Sequence, residues 1–281
     1  MKKNLSIIIP TWNTAAITLS CLRSLHRHLR PLDYEIIVVD NASTDDSVLK
    51  LKKFKKSFDI RNLPIRQGSL TLKINSKNLG FARACNIGAR QASGQYLLFL
   101  NSDIELLDNS LHDMLKHLQQ DPQIGAIGPL FLDPNHHHQA SVFPPQNLIN
   151  AFQEFFLGRK FSFSKYLPPS NKASNVWAIS GGAIMLRKNV FKKIGGWNEK
   201  YFMYFEDLDL CRQLRNLHLK IVYFPQARLI HHHGASGHSL ANSQRQWQRL
   251  VPSSLQYHGI IKHYCLFLIL WLGQKFQKIF S

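Results

Sequence analysis

Ile7-Ile8-Ile9 and, beyond a helical stretch, Glu35-Ile36-Ile37-Val38-Val39 decide the fold class. These runs lack the apolar/polar alternation of a half-exposed strand, so both faces of each strand must be buried. Between them Ala15, Thr18, Leu22, Leu25 and Leu29 recur at the spacing of one helix face. Strand, helix and strand in that order make a β-α-β unit of a parallel sheet covered by helices. Ligands of such sheets bind in the crevice at the carboxyl ends of the strands, and Asp40 and Asn41 stand at that end.

Working outward, Ser43-Thr44-Asp45-Asp46 announces a helix in which Ser43 caps the first turn and the acids complement the dipole. That helix is expected to run through Lys50 to Lys56 as a basic, exposed element. A strand over residues 70–74, a helix over 81–92 and a strand over 96–100 repeat the alternation, and the last strand delivers Asn101-Ser102-Asp103 to the same edge. From 133 to 175 the pattern dissolves among Pro134, Pro144-Pro145 and Pro168-Pro169, with interspersed phenylalanines. The stretch is too long for a connector and reads as an acceptor-side insertion or a surface excursion. His136 to His138 within it read as solvated loop residues. Order returns with a strand over 178–186, a short helix over 189–194 and a turn at Gly195-Gly196. A helix opening on Glu206-Asp207-Leu208-Asp209 follows, then a strand over 220–224 ended by Pro225. The expected fold is α/β, a mixed and mostly parallel central sheet flanked by helices.

The chain has 281 residues, 44% of them hydrophobic, enough to bury a real core. Its formal net charge of +18 would attract any polyanion, whether nucleic acid, anionic membrane or diphosphate. Cys21, Cys85, Cys211 and Cys265 form no Cys-X-X-Cys pair, which suggests neither a zinc site nor a disulfide framework and fits a reducing cytosol. Lys2-Lys3 and the apolar run after them mimic a signal peptide, but Pro10 and Thr11 end the run too early. Residues 264–272 form a nearly unbroken apolar stretch between Lys262-His263 and Lys275. It is shorter than the roughly 20 residues a membrane span needs, so an interfacial helix on an anionic membrane surface is expected, with a buried core helix as the alternative.

Asp40, Asp103 and Glu206-Asp207 fall at expected strand ends or helix starts, and His231-His232-His233-Gly234-Ala235-Ser236 follows the last strand. Carboxylates converging with a histidine suit a hard divalent cation that neutralises a diphosphate. Each also has a plain structural reading: Asp40 can cap a loop, Asn-Ser-Asp is common in turns, and Glu206 or Asp207 can cap its helix.

Taken together, the blocks resemble the large inverting GT-A glycosyltransferase family, family 2, over roughly residues 5–240. They are Ile8-Ile9-Pro10-Thr11-Trp12-Asn13, Val38 through Asp45, Asn78-Leu79-Gly80-Phe81-Ala82 with Asn86, and Leu100-Asn101-Ser102-Asp103. Gly181-Gly182, Gly195-Gly196-Trp197, Tyr204 through Cys211, and His231 to Ser236 resemble its acceptor-side blocks in the right order. The resemblance implies a donor-nucleotide site of Pro10, Thr11, Asn13, Asp40, Asn78, Gly80, Asn101 and Ser102. It implies Mg²⁺ or Mn²⁺ at Asp103 and His231, with Gly181, Gly182 and Trp197 on the acceptor and diphosphate side. Asp207 matches the general base, and Glu206 is the alternative.

Asn101 stands where the family has the first Asp of Asp-X-Asp, as in a rhamnosyltransferase-like branch that reads Asn-Pro-Asp; here Ser102 also replaces the Pro. That variant implies a dTDP-rhamnose-like donor or a UDP-sugar, and a glycan or lipid-linked acceptor of cell-surface polysaccharide synthesis. Gln244-Arg245-Gln246-Trp247 only superficially resembles the Gln-X-X-Arg-Trp of processive relatives, which favours addition of a single sugar. The expected organisation is a catalytic domain over 1–240, split into a nucleotide-binding half (1–105) and an acceptor-binding half (106–240) carrying the insertion. A helical, membrane-associating segment over 241–281 follows, on the inner face of the cell membrane. The competing reading is a non-catalytic basic nucleic-acid-binding protein, but Lys and Arg are scattered rather than striped, so no nucleic acid is expected as partner. A dinucleotide-binding oxidoreductase fails for want of Gly-X-Gly-X-X-Gly after the first strand.

Overall fold

The computed structural model describes residues 4–29, 32–61, 68–232 and 243–280. Its first half alternates as read: β1 (Leu5–Thr11), α1 (Ala15–His28), β2 (Tyr34–Asp40), α2 (Ser47–Arg61), β3 (Gly68–Ile74), α3 (Phe81–Gln91) and β4 (Tyr96–Leu100). β2 and β4 flank β1, both parallel to it, with Ile7 opposite Ile36 on one side and Leu98 on the other. Ile7 and Ile9 enter one core with Leu22 and Leu25, whereas Ile8 enters the other with Ala82 and Cys85. The unbroken runs required this two-faced burial, each fully buried aliphatic side chain contributing about 1.5–3 kcal/mol.

The second half contains β5 (Ile104–Leu106), α4 (Ser110–Gln120), β6 (Ile124–Leu132), β7 (His138–Gln139), β8 (Val142–Phe143), α5 (Leu148–Leu157), β9 (Ser174–Asn175), β10 (Ala178–Ile179), β11 (Ala183–Arg187), α6 (Lys188–Lys193), α7 (Glu206–Asn216), β12 (Lys220–His231), α8 (Ser243–His258) and α9 (Ile260–Phe280). The main sheet runs β3-β2-β1-β4-β11-β6-β12-β5, with β7 added on β6 and β9 on β12. β11 is antiparallel to both β4 and β6, and β12 is parallel to β6. The ends of β1, β2, β4, β6 and β12 and the start of β11 therefore lie along one edge. Thr11, Asp40, Asn101, Gly182 and His231 sit there.

Five expectations about local structure are corrected. α2 begins at Ser47 rather than at a Ser43 cap: the N–H and Oγ of Ser43 both bond Asp40, and the Ser47 N–H is taken by Asp45 Oδ1 instead. Nor is α2 exposed throughout, since Leu51 and Phe58 are buried. The strand expected over 178–186 is two strands, β10 and β11, broken at 180–182. β12 does not stop before Pro225 but runs to His231; its register with β6 breaks between Phe224 and Arg228, so the missing proline N–H costs no ladder bond. Residues 133–175 are not structureless. They hold β7, β8, β9 and α5, whose Asn147 accepts a hydrogen bond from the Asn150 N–H at 2.8 Å as its N-cap.

α5 and α9 cross closely. A Cβ on Gly273 would lie 2.5 Å from the Cβ of Phe155, so only glycine permits this approach. Phe156 and Phe276 meet at a tilt beside the crossing, with ring centroids 5.8 Å apart. Gln244 to Trp247 belong to α8, and their side chains lie outside the described residues.

Candidate active site

The donor side is built on β1 and β2. Asp40 is fully buried, its carboxylate accepting from the Ser43 N–H at 2.9 Å and the Ser43 hydroxyl at 2.5 Å. Asn13, held at φ 52°, closes the same loop: its Nδ2 donates to Thr44 Oγ1 and its Oδ1 accepts from the Thr44 N–H. The Thr11 hydroxyl sits in a buried trio with Thr14 and Thr18 at 2.8 and 2.9 Å, so this side chain shapes the floor rather than reaching into the cleft. Pro10, half-buried, pairs with Val39 in the ladder. Ser102 is buried and its Oγ meets Thr14 Oγ1 at 3.4 Å.

Asn78 Oδ1 accepts from the Gly80 N–H at 3.0 Å, turning the chain into α3. Gly80 is at φ 82°, and a Cβ there would lie 2.4 Å from the Phe202 carbonyl oxygen. That carbonyl accepts from the Phe81 N–H, while Asn86 binds the backbone of Trp197 through both ends of its amide. These bonds pull the segment before α7 onto α3. Trp197 itself is 1% exposed and packs edge-on against Phe81 and Phe99. Its expected place on the acceptor side is thus corrected: it is a core residue that holds the wall, because a fully enclosed indole cannot meet a substrate.

Asp103, almost wholly buried, follows β4 and precedes β5, which pairs with β12. The Asp103 carbonyl accepts from the His232 N–H at 2.9 Å, and Asp103 Oδ1 lies 3.6 Å from His231 Nε2. One carboxylate oxygen and one imidazole nitrogen, adjacent at a strand edge, form a donor pair that fits Mg²⁺ or Mn²⁺ provided substrate phosphates supply further oxygens. Among the described residues no group of three or more His, Cys, Asp or Glu could hold a metal ion unaided. His233, Gly234, Ala235 and Ser236, the remainder of the histidine block, lie outside the described residues. All three histidines are exposed, and His136 and His137 lie in the loop as expected, His137 bonding Asp133, but His138 is the first residue of β7.

The acids of α7 separate into three environments. Tyr204 and Phe205 both adopt left-handed backbone, φ 71° and 66°, an uncommon corner for bulky residues that sets the helix start. Asp209 is buried and engages Asn198, Tyr201, Arg212 and Gln213, which marks it as structural. Glu206 is buried too, its Oε2 without a hydrogen-bond partner among the described residues, and its pKa is pushed up to about 8 by burial first and the Asp207 charge second. Asp207 is half-buried, and its Oδ2 accepts from the Gly181 N–H at 2.9 Å. The neighbouring Gly182 carbonyl accepts from the Asn101 N–H, also at 2.9 Å. The break between β10 and β11 therefore ties the Asn101–Asp103 turn to the α7 acids. Sequence reasoning missed this bridge, since backbone bonds leave no side-chain signature, and read the segment as one strand. A separate cavity of about 440 Å³, lined by Ser93, Tyr96, Arg187 and Lys192 among others, lies at the opposite strand ends and contacts none of these groups.

Residues 6–195 match the family described as glycosyl transferase family 2. The chain belongs to that family. A second match, to the family described as the N-terminal domain of galactosyltransferase, covers residues 162–235 of this family 2 glycosyltransferase. Over 231 residues it is 28% identical to the O-antigen biosynthesis protein RfbC of Myxococcus xanthus, covering 82% of the chain but 17% of that protein. It is 26% identical over 216 residues to the N-acetylglucosaminyl-diphospho-decaprenol L-rhamnosyltransferase of Mycobacterium tuberculosis (strain H37Rv), covering 70% of this chain and 66% of that protein. Against the rhamnosyltransferase WbbL of Escherichia coli (strain K12) identity is 24%, with 80% and 88% covered. The chain thus spans less than two thirds of the length of the first two relatives.

The fold agrees with that of a mannosyltransferase from Pyrobaculum calidifontis, solved with GDP-Man and Mn²⁺ (TM-score 0.62, 17% identity, 98% of this chain and 69% of that one). It agrees equally with GalNAc-T7, solved with UDP, GalNAc and Mn²⁺ (TM-score 0.61, 16% identity, 82% and 44%). The GT-A fold is thereby established, and the enzyme reading prevails over the nucleic-acid one.

Proposed function

We propose that this glycosyltransferase inverts configuration as it moves a single sugar from a nucleotide diphosphate sugar, dTDP-rhamnose-like or a UDP-sugar, to a hydroxyl of a glycan or lipid-linked acceptor. The pathway is cell-surface polysaccharide synthesis. The observation that carries the reading is the Gly181-Gly182 turn, whose backbone binds Asp207 on one side and Asn101 on the other. It links a half-exposed carboxylate to the Asn101–Asp103 turn, whose Asp103 adjoins His231 at the end of β12. Asp207 takes the acceptor proton as the acceptor oxygen bonds the anomeric carbon, and the bond from that carbon to the diphosphate oxygen breaks with its electron pair. Glu206 is buried whereas Asp207 is half-exposed, so Asp207 is the acid an acceptor hydroxyl can reach. Asp103 and His231 would hold Mg²⁺ or Mn²⁺, which when bound neutralises diphosphate charge.

The names of the relatives, two of them rhamnosyltransferases and one an O-antigen biosynthesis protein, support the donor and pathway class. Nucleotide-sugar use is supported by neighbours such as the mannosyltransferase holding GDP-Man and TarS of S. aureus holding UDP-GlcNAc.

Membrane association is part of the proposal. No described helix is long and apolar enough to cross a bilayer. Ile261, Tyr264, Leu268 and Trp271 of α9 nevertheless leave 46–82% of their surface exposed, at the spacing of one helix face. Ile149, Phe152 and Leu157 of α5 are exposed as well, and Arg159 and Lys160 follow that helix at the surface. Lys275 Nζ caps the Trp271 ring at 3.9 Å from its centroid. An apolar face with cationic and aromatic flanks matches an anionic membrane interface.

A screen of donor hydrolysis across dTDP- and UDP-sugars with Mg²⁺ or Mn²⁺ tests the activity. Slow release of nucleoside diphosphate from one donor is expected; no release from any nucleotide sugar, with none bound, would overturn the proposal.

A further inference from the structure

Gln139, two residues beyond the centre of the exposed histidine run, makes two contacts to one residue of another strand. Its Nε2 donates to the His231 carbonyl at 2.9 Å, and its Oε1 lies 3.1 Å from His231 Nδ1. The sheet builds this contact: Gln139 of β7 lies opposite Phe131 of β6, and Phe131 lies opposite Leu229 of β12, two residues before His231. Phe131 also lies against the His231 ring, with centroids 5.0 Å apart.

The pattern fixes a proton. A backbone carbonyl only accepts, so the Gln139 nitrogen must face it; reversing the amide would set two oxygens against each other. Gln139 Oε1 therefore faces Nδ1, and an amide oxygen only accepts, so Nδ1 must carry the hydrogen. In a neutral imidazole the other nitrogen then bears the lone pair. That nitrogen, Nε2, is the one on the Asp103 side, 3.6 Å from Oδ1.

We propose that Gln139 is a positioning residue that holds His231 in the Nδ1–H tautomer, so that Nε2 offers its lone pair, beside Asp103, to the divalent cation that accompanies the donor diphosphate. The inference rests on the reading of Asp103 and His231 as cation ligands, and it assigns the insertion a part in the site that composition did not reveal. Histidine ligands generally have the other ring N–H fixed by such a partner, whose loss costs about 10–100-fold in metal affinity.

The test begins without metal. Long-range ¹H–¹⁵N correlation of the imidazoles, with His231→Asn to assign the resonance, reads the tautomer directly. The full chain should show Nδ1–H at His231. Gln139→Leu should lose that preference, and so should Gln139→Met, which keeps the length of the side chain but neither amide contact. Mn²⁺ binding with UDP or dTDP present, followed by electron paramagnetic resonance, should weaken about 10–100-fold in Gln139→Leu and likewise in Gln139→Met. An Nε2–H tautomer or an imidazolium in the unaltered protein at neutral pH would overturn the proposal. So would a tautomer, or a Mn²⁺ affinity, indifferent to Gln139→Leu. If the unaltered protein binds no Mn²⁺ at all, the cation reading falls, and the spectra alone still decide whether Gln139 sets the tautomer.

Discussion

The Gly181 backbone N–H donates to Asp207 Oδ2 at 2.9 Å, which leaves Oδ1 to accept from the Leu208 N–H and fixes the carboxylate at the start of α7. An asparagine could accept the Gly181 bond through its amide oxygen, so Asp207→Asn should fold normally while losing its basicity. Turnover is expected to fall about 10²–10⁴-fold, the usual worth of a positioned base, with donor affinity near that of the unaltered protein. Steady-state kinetics beside a donor-binding isotherm checks this; an active Asp207→Asn with an inactive, folded Glu206→Gln would reverse the assignment.

Glu206 makes a separate claim about stability. Burial and the Asp207 charge raise its folded-state pKa from an ordinary 4.5 to about 8. Between those values the native protein holds a proton that the unfolded chain has released. The stabilisation is therefore complete below about pH 4.5 and is lost as pH rises through about 8. Urea melts across that window should show stability declining with pH. Glu206→Gln, isosteric and neutral, should flatten the decline and retain appreciable turnover. An equally steep decline in the variant would mean that another group is responsible.

Much of this was legible in the sequence for physical reasons. Strands buried on both faces leave Ile7-Ile8-Ile9 and Ile36 through Val39 no polar alternation, so β1 and β2 could be read directly. The edge position of Asp40 and Asp103 followed from strand direction. Less visible was whatever depends on who meets whom. Ser43 was a good helix cap on paper, yet Asp40 takes both its donors. Pro225 read as a strand end because the register shift of β12 against β6, which lets the strand continue past it, is invisible locally. Trp197 reads the same in a one-letter string whether it faces substrate or core, and Gln139 had no signal apart from the strand that brings it to His231.

Asn101 and Asp103, at the two ends of the Asn101-Ser102-Asp103 turn, should differ in their effect on metal-supported donor binding. Only Asp103 offers a charged oxygen beside His231, whereas Asn101 contributes its backbone N–H to Gly182. Asp103→Ala should abolish the Mn²⁺-dependent part of donor binding, and Asn101→Ala should weaken it less, since the backbone bond survives the substitution. Calorimetry with and without chelator measures the order. Donor affinity indifferent to both chelator and Asp103→Ala would remove the metal site.

The exposed face of α9 carries the last expectation. Leu268 and Trp271 are 53% and 46% exposed, with Ile261 and Tyr264 on the same face. If this face enters the headgroup region, each side chain contributes up to about 1.5–3 kcal/mol for full burial, less in proportion to the share of its surface already buried. Replacing both Leu268 and Trp271 with Glu removes that gain and adds repulsion from anionic lipid. Association with liposomes rich in anionic lipid should fall by at least tenfold in a flotation assay, with the melting temperature little changed because both side chains already face solvent. Removing residues 260–281 should also release the protein, but it strips α9 from α5 and uncovers Phe155 and Phe156, so the double substitution is the cleaner comparison. High salt separates the contributions: it should weaken the attraction of the exposed lysines and arginines for lipid headgroups while leaving the apolar part in place. Unchanged flotation of the double variant at both salt concentrations would place the membrane contact elsewhere on the chain.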